Sequence, residues 1–290
     1  MQIRRLLVPL VGSDNDQLVL DVGFGLARDL SAHVDALFVR PDPEDAVPYL
    51  GMDVGNLEEI RDEYRKHAEV IGKKTAAKSR RRFNAACKKQ GIAKAKRPSE
   101  PSEISARWID VVGSTTREMA EAARFCDISV FAGPPTDYHR LFPNVLECTL
   151  LESGRPLLFV PDSAVKFPPE RVAIAWDASI PAVRAVGAAG TFLRDAKDIQ
   201  VLSIEEQYED TADPQKVVEY LAWHGLNAEG RVIPRAHEEV GHALLAAAQK
   251  TEASLLIMGG YAHNRFEEAV FGGTTLHVMR HTPVPLLMMH

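Results

Sequence analysis

The sequence has little that would place it in a membrane, in an oxidising compartment or on nucleic acid. Only three of its 290 residues are cysteines, and their spacing fits no metal or redox motif, so we expect free thiols. No apolar run approaches the roughly 20 residues that span a bilayer. The first apolar run is followed at once by acidic residues, unlike a signal peptide. With a net charge of −6, we expect a cytoplasmic protein with neither a membrane nor a nucleic acid as its partner.

Familiar catalytic motifs are missing as well. The sequence has no Gly-x-Ser-x-Gly elbow for a hydrolase serine and no lysine after a glycine loop to serve ATP hydrolysis. His277 and His281 stand four residues apart, a spacing that can ligate zinc, but a position near a helix end favours a structural role. We predict no catalytic residue and no metal ligand, and hydrolysis of a bound nucleotide would be weak.

A basic run extends from Lys73 to Arg97. It could bind an acidic partner, but acidic residues precede it, and Phe83 is its only aromatic residue, so a platform for stacked bases is missing. The run is more typical of a solvated helix face.

The chain repeats itself. When residues 5–39 are laid over residues 171–204, Arg5 falls on Arg171 and Ser13 on Ser179, and Ile128–Gly133 matches Leu255–Gly260 in a second register. The two alignments have different offsets because the first copy contains extra residues between about 49 and 97. We therefore predict two similar domains, at residues 1–163 and 168–290, joined by a stretch with two prolines.

Within each copy, short strands rich in Val, Ile and Leu alternate with helical segments. The second copy, for example, reads as a strand at Val172–Ala175, a helix at Val183–Phe192 and a strand at Gln200–Ile204. Such alternation predicts an α/β fold whose parallel sheet is covered on both faces. Five strands per copy suit a doubly wound sheet, which binds ligands beyond the carboxyl ends of its strands, where strand order reverses.

Four stretches carry a resemblance to a known family: RLLVPLVGS and ESGRPLLFVP in the first copy, and RVAIAWDAS and LLIMGGYAHNRFEEAVFGGTTLHVMRHTPVPLL in the second. On these, the chain resembles the universal stress protein family in its tandem two-domain form. The resemblance implies two doubly wound five-stranded sheets of the adenine-nucleotide alpha-hydrolase-like or flavodoxin-like kind, with strand order 3-2-1-4-5 and a pseudo-twofold relation. It also implies a binding or regulatory module of the stress response.

The resemblance further implies a site for ATP or a related adenine nucleotide in the second copy, with Mg²⁺ as an accompanying ion. Nucleotide-binding members have a glycine motif, an aspartate after the first strand and backbone contacts at the end of the second strand. The corresponding residues here are Asp177, Ser203, Ile204, Gly259, Ala262, Gly272, Gly273, Thr274 and Thr275, with Arg265 in the intervening loop.

Elementary chemistry supports an anion at this place. A helix that begins at Gly273 presents unpaired N–H groups and the positive end of its dipole. Ala262 stands where glycine is expected and costs about 1 kcal/mol if that position requires positive φ. Gly273 stands where a hydroxyl is usual. In the first copy, Ala132 and Pro135 replace the glycines, and we expect no triphosphate there.

The resemblance also implies that the two copies pair through their last strands, RPLLFVP and VPLLMMH, and it leaves open a homodimer and a protein partner. Two other functions stay open: a slow nucleotide hydrolase or transferase on the same fold, and an interaction scaffold that binds no nucleotide.

Overall fold

A computed structural model describes residues 2–46, 57–96, 103–133, 144–161, 167–205, 211–235, 238–261 and 273–290. The elements of the first half are β1 (Arg5–Leu10), α1 (Asp16–Leu30), β2 (His33–Arg40), a 3₁₀ turn (Pro43–Ala46), α2 (Leu57–Gln90), β3 (Ala93–Lys94), β4 (Ser105–Val112), α3 (Thr115–Ala123), β5 (Ile128–Ala132), α4 (Val145–Glu152) and β6 (Leu157–Val160).

The second half repeats this order without a long helix like α2. Its described elements are β7 (Arg171–Ala175), α5 (Ile180–Ala188), α6 (Gly190–Leu193), β8 (Asp198–Ile204), α7 (Gln215–Trp223), β9 (Glu229–Ile233), α8 (Val240–Lys250), β10 (Leu255–Gly259), α9 (Gly273–His281) and β11 (Leu286–Met289).

In the part of the chain that the structure describes, eleven strands form one continuous sheet in the order β3-β4-β2-β1-β5-β6-β11-β10-β7-β8-β9. Strand pairs within each half are parallel. Apart from the two-residue β3, each half runs in the order 3-2-1-4-5. The predicted α/β class is confirmed, and the division into domains at residues 1–163 and 168–290 stays a prediction.

The two halves meet where β6 pairs antiparallel with β11. Leu158 lies opposite Leu287, which occupies the equivalent position in the second copy, and Phe159 lies opposite Leu286. Equivalent residues face each other in this way only about a local twofold axis. Because both strands are paired and largely buried, neither last strand is left as an adhesive edge.

Apolar side chains cover the sheet on both faces, as a doubly wound fold requires. One buried layer packs under α1, α2, α5 and α7, and the other packs under α3, α4, α8 and α9. Each layer draws residues from both halves, so the core continues across the β6–β11 seam. None of the described helices combines the length and the apolarity needed to cross a bilayer.

The structure differs from the sequence expectation at the helix predicted for Val183–Phe192. This segment is divided into α5 and α6 at Ala189. Gly187 and Gly190 flank the break, and glycine has a low helix propensity, which accounts for the interruption.

The basic run of the first half lies largely on α2. Phe83 of this helix is buried against the sheet, whereas Lys73 pairs with Glu69, and both Lys78 and Arg82 pair with Asp14. The cations therefore occupy the solvated face that the sequence predicts.

Candidate functional site

The strand order of the second half reverses at β7, which has β8 on one side and β10 on the other. Ala175 ends β7 and Gly259 ends β10. The carboxyl ends of these two parallel strands flank the crevice in which doubly wound sheets bind their ligands.

The turn after β7 holds the predicted aspartate at the surface. Asp177 is exposed, and its Oδ1 accepts a hydrogen bond of 3.0 Å from the backbone N–H of Ser179. Ser179 in turn caps α5, because its Oγ accepts the backbone N–H of Ala182 at 3.2 Å. Between them, Ala178 has φ of +59°. Left-handed backbone at a residue other than glycine is uncommon and often marks functional turns.

Gly259, the first predicted motif glycine, permits close packing. A Cβ at this position would lie 2.6 Å from the backbone N of Ala182 and 2.9 Å from the carbonyl carbon of Pro181. Its φ is not in the positive region. Because Gly259 has no side chain, the first turn of α5 packs directly on the end of β10. This position therefore requires glycine for close packing and not for a positive φ.

Tyr261, two residues after β10, connects this strand with α9. It has φ of +56°, and its backbone N–H donates to Thr275 Oγ1 at 3.1 Å. The Thr275 side chain is buried, and its hydroxyl oxygen already accepts this hydrogen bond from within the protein. Of the two predicted threonines, Thr274 is the half-buried one.

Helix α9 extends over Gly273–His281, and Gly273 is the first described residue of this helix. Gly273 is exposed, and apart from its chain neighbours and the backbone of its own helix, no atom of the described residues lies within 4 Å of the position that its Cβ would take. The first turn contains no acidic residue that would repel an anion from the amides. Ala262, Arg265 and Gly272, the other predicted residues of this motif, lie outside the described residues.

Ser203 and Ile204 end β8, next to β7. Both are buried, and within the described ranges the Ser203 hydroxyl has no hydrogen-bond partner. Most buried hydroxyls are satisfied, so this one is unusual. The predicted residues that the structure describes thus cluster at one edge of the sheet, at the ends of β7, β8 and β10 and the start of α9.

Comparison with known proteins agrees with this geometry. A model described as the universal stress protein family matches residues 170–290. The C-terminal half of the chain belongs to the universal stress protein family. No curated protein matches the sequence.

Solved structures extend the likeness to the whole chain. A universal stress protein from Archaeoglobus fulgidus DSM 4304 aligns with 99% of this chain and 98% of its own, at 20% identity and a TM-score of 0.64. A functionally unknown protein from Pseudomonas aeruginosa PAO1 aligns with 99% of this chain and 92% of its own, at 14% identity and a TM-score of 0.53. At these identities the likeness concerns the fold, which therefore extends to the first half, as in a tandem universal stress protein.

A universal stress protein in complex with cAMP aligns with 57% of this chain and 100% of its own, at 15% identity. Its TM-score of 0.32 is too low to bear on what this chain binds.

The first half differs from the second at the equivalent crevice, between β1 and β5. The backbone N–H groups of Val11 and Gly12 donate to Asp16 at 3.0 and 3.1 Å. Ser79 Oγ on α2 donates to the same carboxylate at 2.6 Å, and the Asn15 side chain bridges to the carbonyl of Ala132 on β5. The amides that follow the first strand are therefore already bound to an internal anion.

Asp16 is 1% exposed. Burial raises its pKa, and the hydrogen bonds from Ser79 and from the two amides offset this only in part. Sequence reasoning missed this residue. In the sequence, Asp16 is an aspartate at the start of a predicted helix. Acidic residues are common at such positions, where they usually remain exposed and stabilise the helix through its dipole.

The amino edge of the same half holds a second group that the sequence did not reveal. Asp35 on β2 accepts hydrogen bonds from Arg5 at 2.7 Å and from Arg107. His33 Nε2 lies 3.1 Å from Asp35 Oδ1, and His33 Nδ1 lies 2.8 Å from Ser105 Oγ. Burial alone would raise the pKa of Asp35, but the hydrogen bonds from His33 and Arg107 and the charge of Arg5 outweigh it and lower that pKa.

Ser105, His33 and Asp35 have the residue types of a hydrolytic triad but not its properties. Ser105 is 4% exposed, so a substrate has no access to it, and two arginines already neutralise the carboxylate that would stabilise an imidazolium. The group lies at the amino edge of the sheet, opposite the crevice. It ties β1, β2 and β4 together.

His277 stacks on His281, its partner in the predicted histidine pair, and also contacts the tilted ring of His242 on α8. Ring centroids lie 4.2 Å apart for His242 and His277, and 4.4 Å apart for His277 and His281. Burial, followed by the neighbouring imidazoles, lowers the pKa of His277. Within the described ranges, no group of three or more His, Cys, Asp or Glu side chains is arranged to hold a metal ion.

Proposed function

We propose that the protein is a binding module of the stress response that holds one molecule of ATP, or of a related adenine nucleotide, in its C-terminal half. The observation that carries this proposal is the exposed first turn of α9, which the hydrogen bond from Tyr261 to Thr275 places next to the end of β10, the neighbour of β7 at the strand-order reversal.

The phosphates would bind at the start of α9. The first-turn N–H groups of a helix have no intrahelical partner, and the helix dipole favours an anion there. The Thr274 hydroxyl would add a hydrogen bond, whereas Thr275 is occupied by the amide of Tyr261. Arg265 and Mg²⁺ would neutralise the outer phosphates.

The nucleoside would lie across the ends of β7 and β8. Asp177 presents an exposed carboxylate, which suits a ribose hydroxyl. Ser203 and Ile204 have buried side chains, so the end of β8 would offer its backbone groups to the base. An apolar surface with few polar groups is the usual environment of a bound base.

The first half would bind no nucleotide. The Asp16 carboxylate accepts the two amides that follow β1, and a second anion beside this buried carboxylate would be repelled. We therefore propose a single site per chain. A cytoplasmic location is supported by the three cysteines, which form no disulfide. The first half would instead support the second through the β6–β11 seam.

Calorimetric titration of the full chain with MgATP tests the proposal. We expect Asp177→Ala and Thr274→Val each to weaken binding about 5- to 10-fold, which corresponds to the loss of one hydrogen bond of about 1 kcal/mol. Asp14→Ala is the matched control, because Asp14 is an exposed aspartate in the corresponding turn of the first half. It should leave the affinity unchanged.

Absence of binding at millimolar MgATP would overturn the proposal and favour a scaffold function. Phosphate release that Asp177→Ala abolishes would favour a hydrolase. A measurement of phosphate release on the same samples separates the hydrolase from the binding module.

A further inference from the structure

The segment that follows β10 is fixed by its own half on two sides. The Gly260 N–H donates to the carbonyl of Met289 at 2.9 Å, and the Gly260 carbonyl lies 2.9 Å from His290 Nδ1. The Tyr261 N–H donates to Thr275 in the first turn of α9. The position of this segment and the position of the start of α9 are thus linked.

A third contact comes from the other half of the chain. The Tyr261 hydroxyl donates to Glu147 Oε1 at 3.1 Å, and Glu147 lies on α4. Leu150, one turn further along α4, lies so close that a Cβ on Gly260 would be 2.7 Å from its Cδ2. Helix α4 of the first half therefore packs directly on the glycine-containing segment of the second.

The contact holds a backbone conformation that needs support. Tyr261 has φ of +56°, a backbone angle that residues other than Gly, Asn and Asp rarely adopt. Such a conformation persists when the surroundings determine it. Two hydrogen bonds support this conformation: the Tyr261 N–H bonds to Thr275, and the Tyr261 hydroxyl bonds to Glu147.

The first half has no residue that could make the contact equivalent to Tyr261–Glu147. In the register that lays Gly133 over Gly260, the residue after Gly133 is Pro134, which has neither a hydroxyl nor a backbone N–H to donate. The two halves, although similar in fold, are thus not interchangeable at this place. The half whose crevice contains Asp16 supplies the helix, and the half with the proposed anion site receives it.

We propose that α4 of the first half is a positioning element for the anion site of the second half, acting from Glu147 through Tyr261 and Thr275 on the first turn of α9. This inference rests on the proposed function for its ligand, but not for the mechanical link between the two halves. It gives the first half a role in binding although that half holds no nucleotide.

Titration with MgATP and backbone amide exchange of the full chain test the inference together. We expect Tyr261→Phe and Glu147→Ala each to weaken MgATP binding about 3- to 10-fold, the range that follows from losing one hydrogen bond. The double variant should be no weaker than either single variant, because both remove the same contact. Glu147→Gln keeps an acceptor oxygen and should retain most of the affinity.

The control is Tyr220→Phe, which removes the hydroxyl of a half-exposed tyrosine on α7 and should leave the affinity unchanged. In the ligand-free chain, exchange of the hydrogen-bonded amides at residues 260–261 and at residues 277–279, beyond the unpaired first turn of α9, should be faster in both single variants than in wild type. A merely structural loss would lower the unfolding midpoint and leave the MgATP affinity of the folded chain as it was.

Wild-type affinity together with wild-type exchange rates in Tyr261→Phe would overturn the inference. Additive losses in the double variant would also overturn it. If the wild-type chain binds no MgATP, the proposed function fails by itself, and the exchange rates alone decide whether α4 positions α9.

Discussion

Replacing Gly259 by alanine should damage the site through packing. The new Cβ would lie 2.6 Å from the backbone N of Ala182 and 2.9 Å from the carbonyl carbon of Pro181. These are backbone atoms in the first turn of α5, so no side-chain rotation can relieve the overlap. Either α5 or the end of β10 must shift by several tenths of an ångström.

Overpacking in a close-packed interior costs typically 1–3 kcal/mol, and the rigidity of this contact places Gly259→Ala near the upper end, at about 3 kcal/mol. With an unfolding entropy of roughly 2.1 cal/mol/K per residue, a chain of 290 residues would lose about 5 °C in Tm. Because α5 begins next to Ser179, which anchors Asp177, MgATP affinity should fall as well.

Differential scanning calorimetry of the ligand-free chain, followed by titration with MgATP, measures both effects. Gly187→Ala is the matched control. Gly187 lies on the exposed side of α5 with no described atom within 4 Å of its Cβ position, so the same substitution should raise stability by about 0.5–1 kcal/mol. Equal stability of wild type and Gly259→Ala would refute the packing role of this glycine.

Three further predictions concern stability. Ser203→Ala removes a buried hydroxyl without a described partner and should stabilise the ligand-free chain in urea by about 1 kcal/mol, and a loss of stability would indicate a missed partner. The lowered pKa of Asp35 means that its contribution is fully present above its ordinary pKa of about 3.9 and is lost as pH falls below that value. Asp35→Asn should therefore be less stable at pH 7 by about 1–3 kcal/mol and lose less stability than wild type between about pH 4 and pH 2. The lowered pKa of His277, next to His242, His281 and Glu239, means that stability is lost as pH falls through about 6.5. His277→Gln should therefore lose less stability than wild type between pH 7.5 and pH 5.5, and an equal loss would contradict the assignment.

The fold could be predicted from the sequence because its signals are local and repeated. Strands β1 and β10 are short, largely apolar runs, and their alternation with helical segments in both copies predicted the α/β class. The strand order was implied by the family resemblance, and the reversal in that order located the crevice. The Gly-Gly-Thr-Thr stretch at residues 272–275 predicted the helix that the structure describes as α9.

The parts that were missed depend on contacts between residues distant in sequence. Asp16 finds Ser79 across 63 residues, and no local pattern distinguishes a buried carboxylate that occupies amides from an ordinary aspartate at a helix start. Glu147 and Tyr261 are 114 residues apart. The role of Gly259 also needed the structure, since the sequence shows a glycine but not that Ala182 lies against it.

The number of ATP molecules bound per chain at saturation, measured by native mass spectrometry in the presence of Mg²⁺, most directly tests the central claim. Two similar halves, of which only the second leaves its amides open, predict one ATP per chain, and Asp177→Ala should weaken that single site. Two ATP molecules per chain would show that the Asp16 carboxylate does not close the first crevice. None at millimolar concentration would show that the start of α9 is not a nucleotide site.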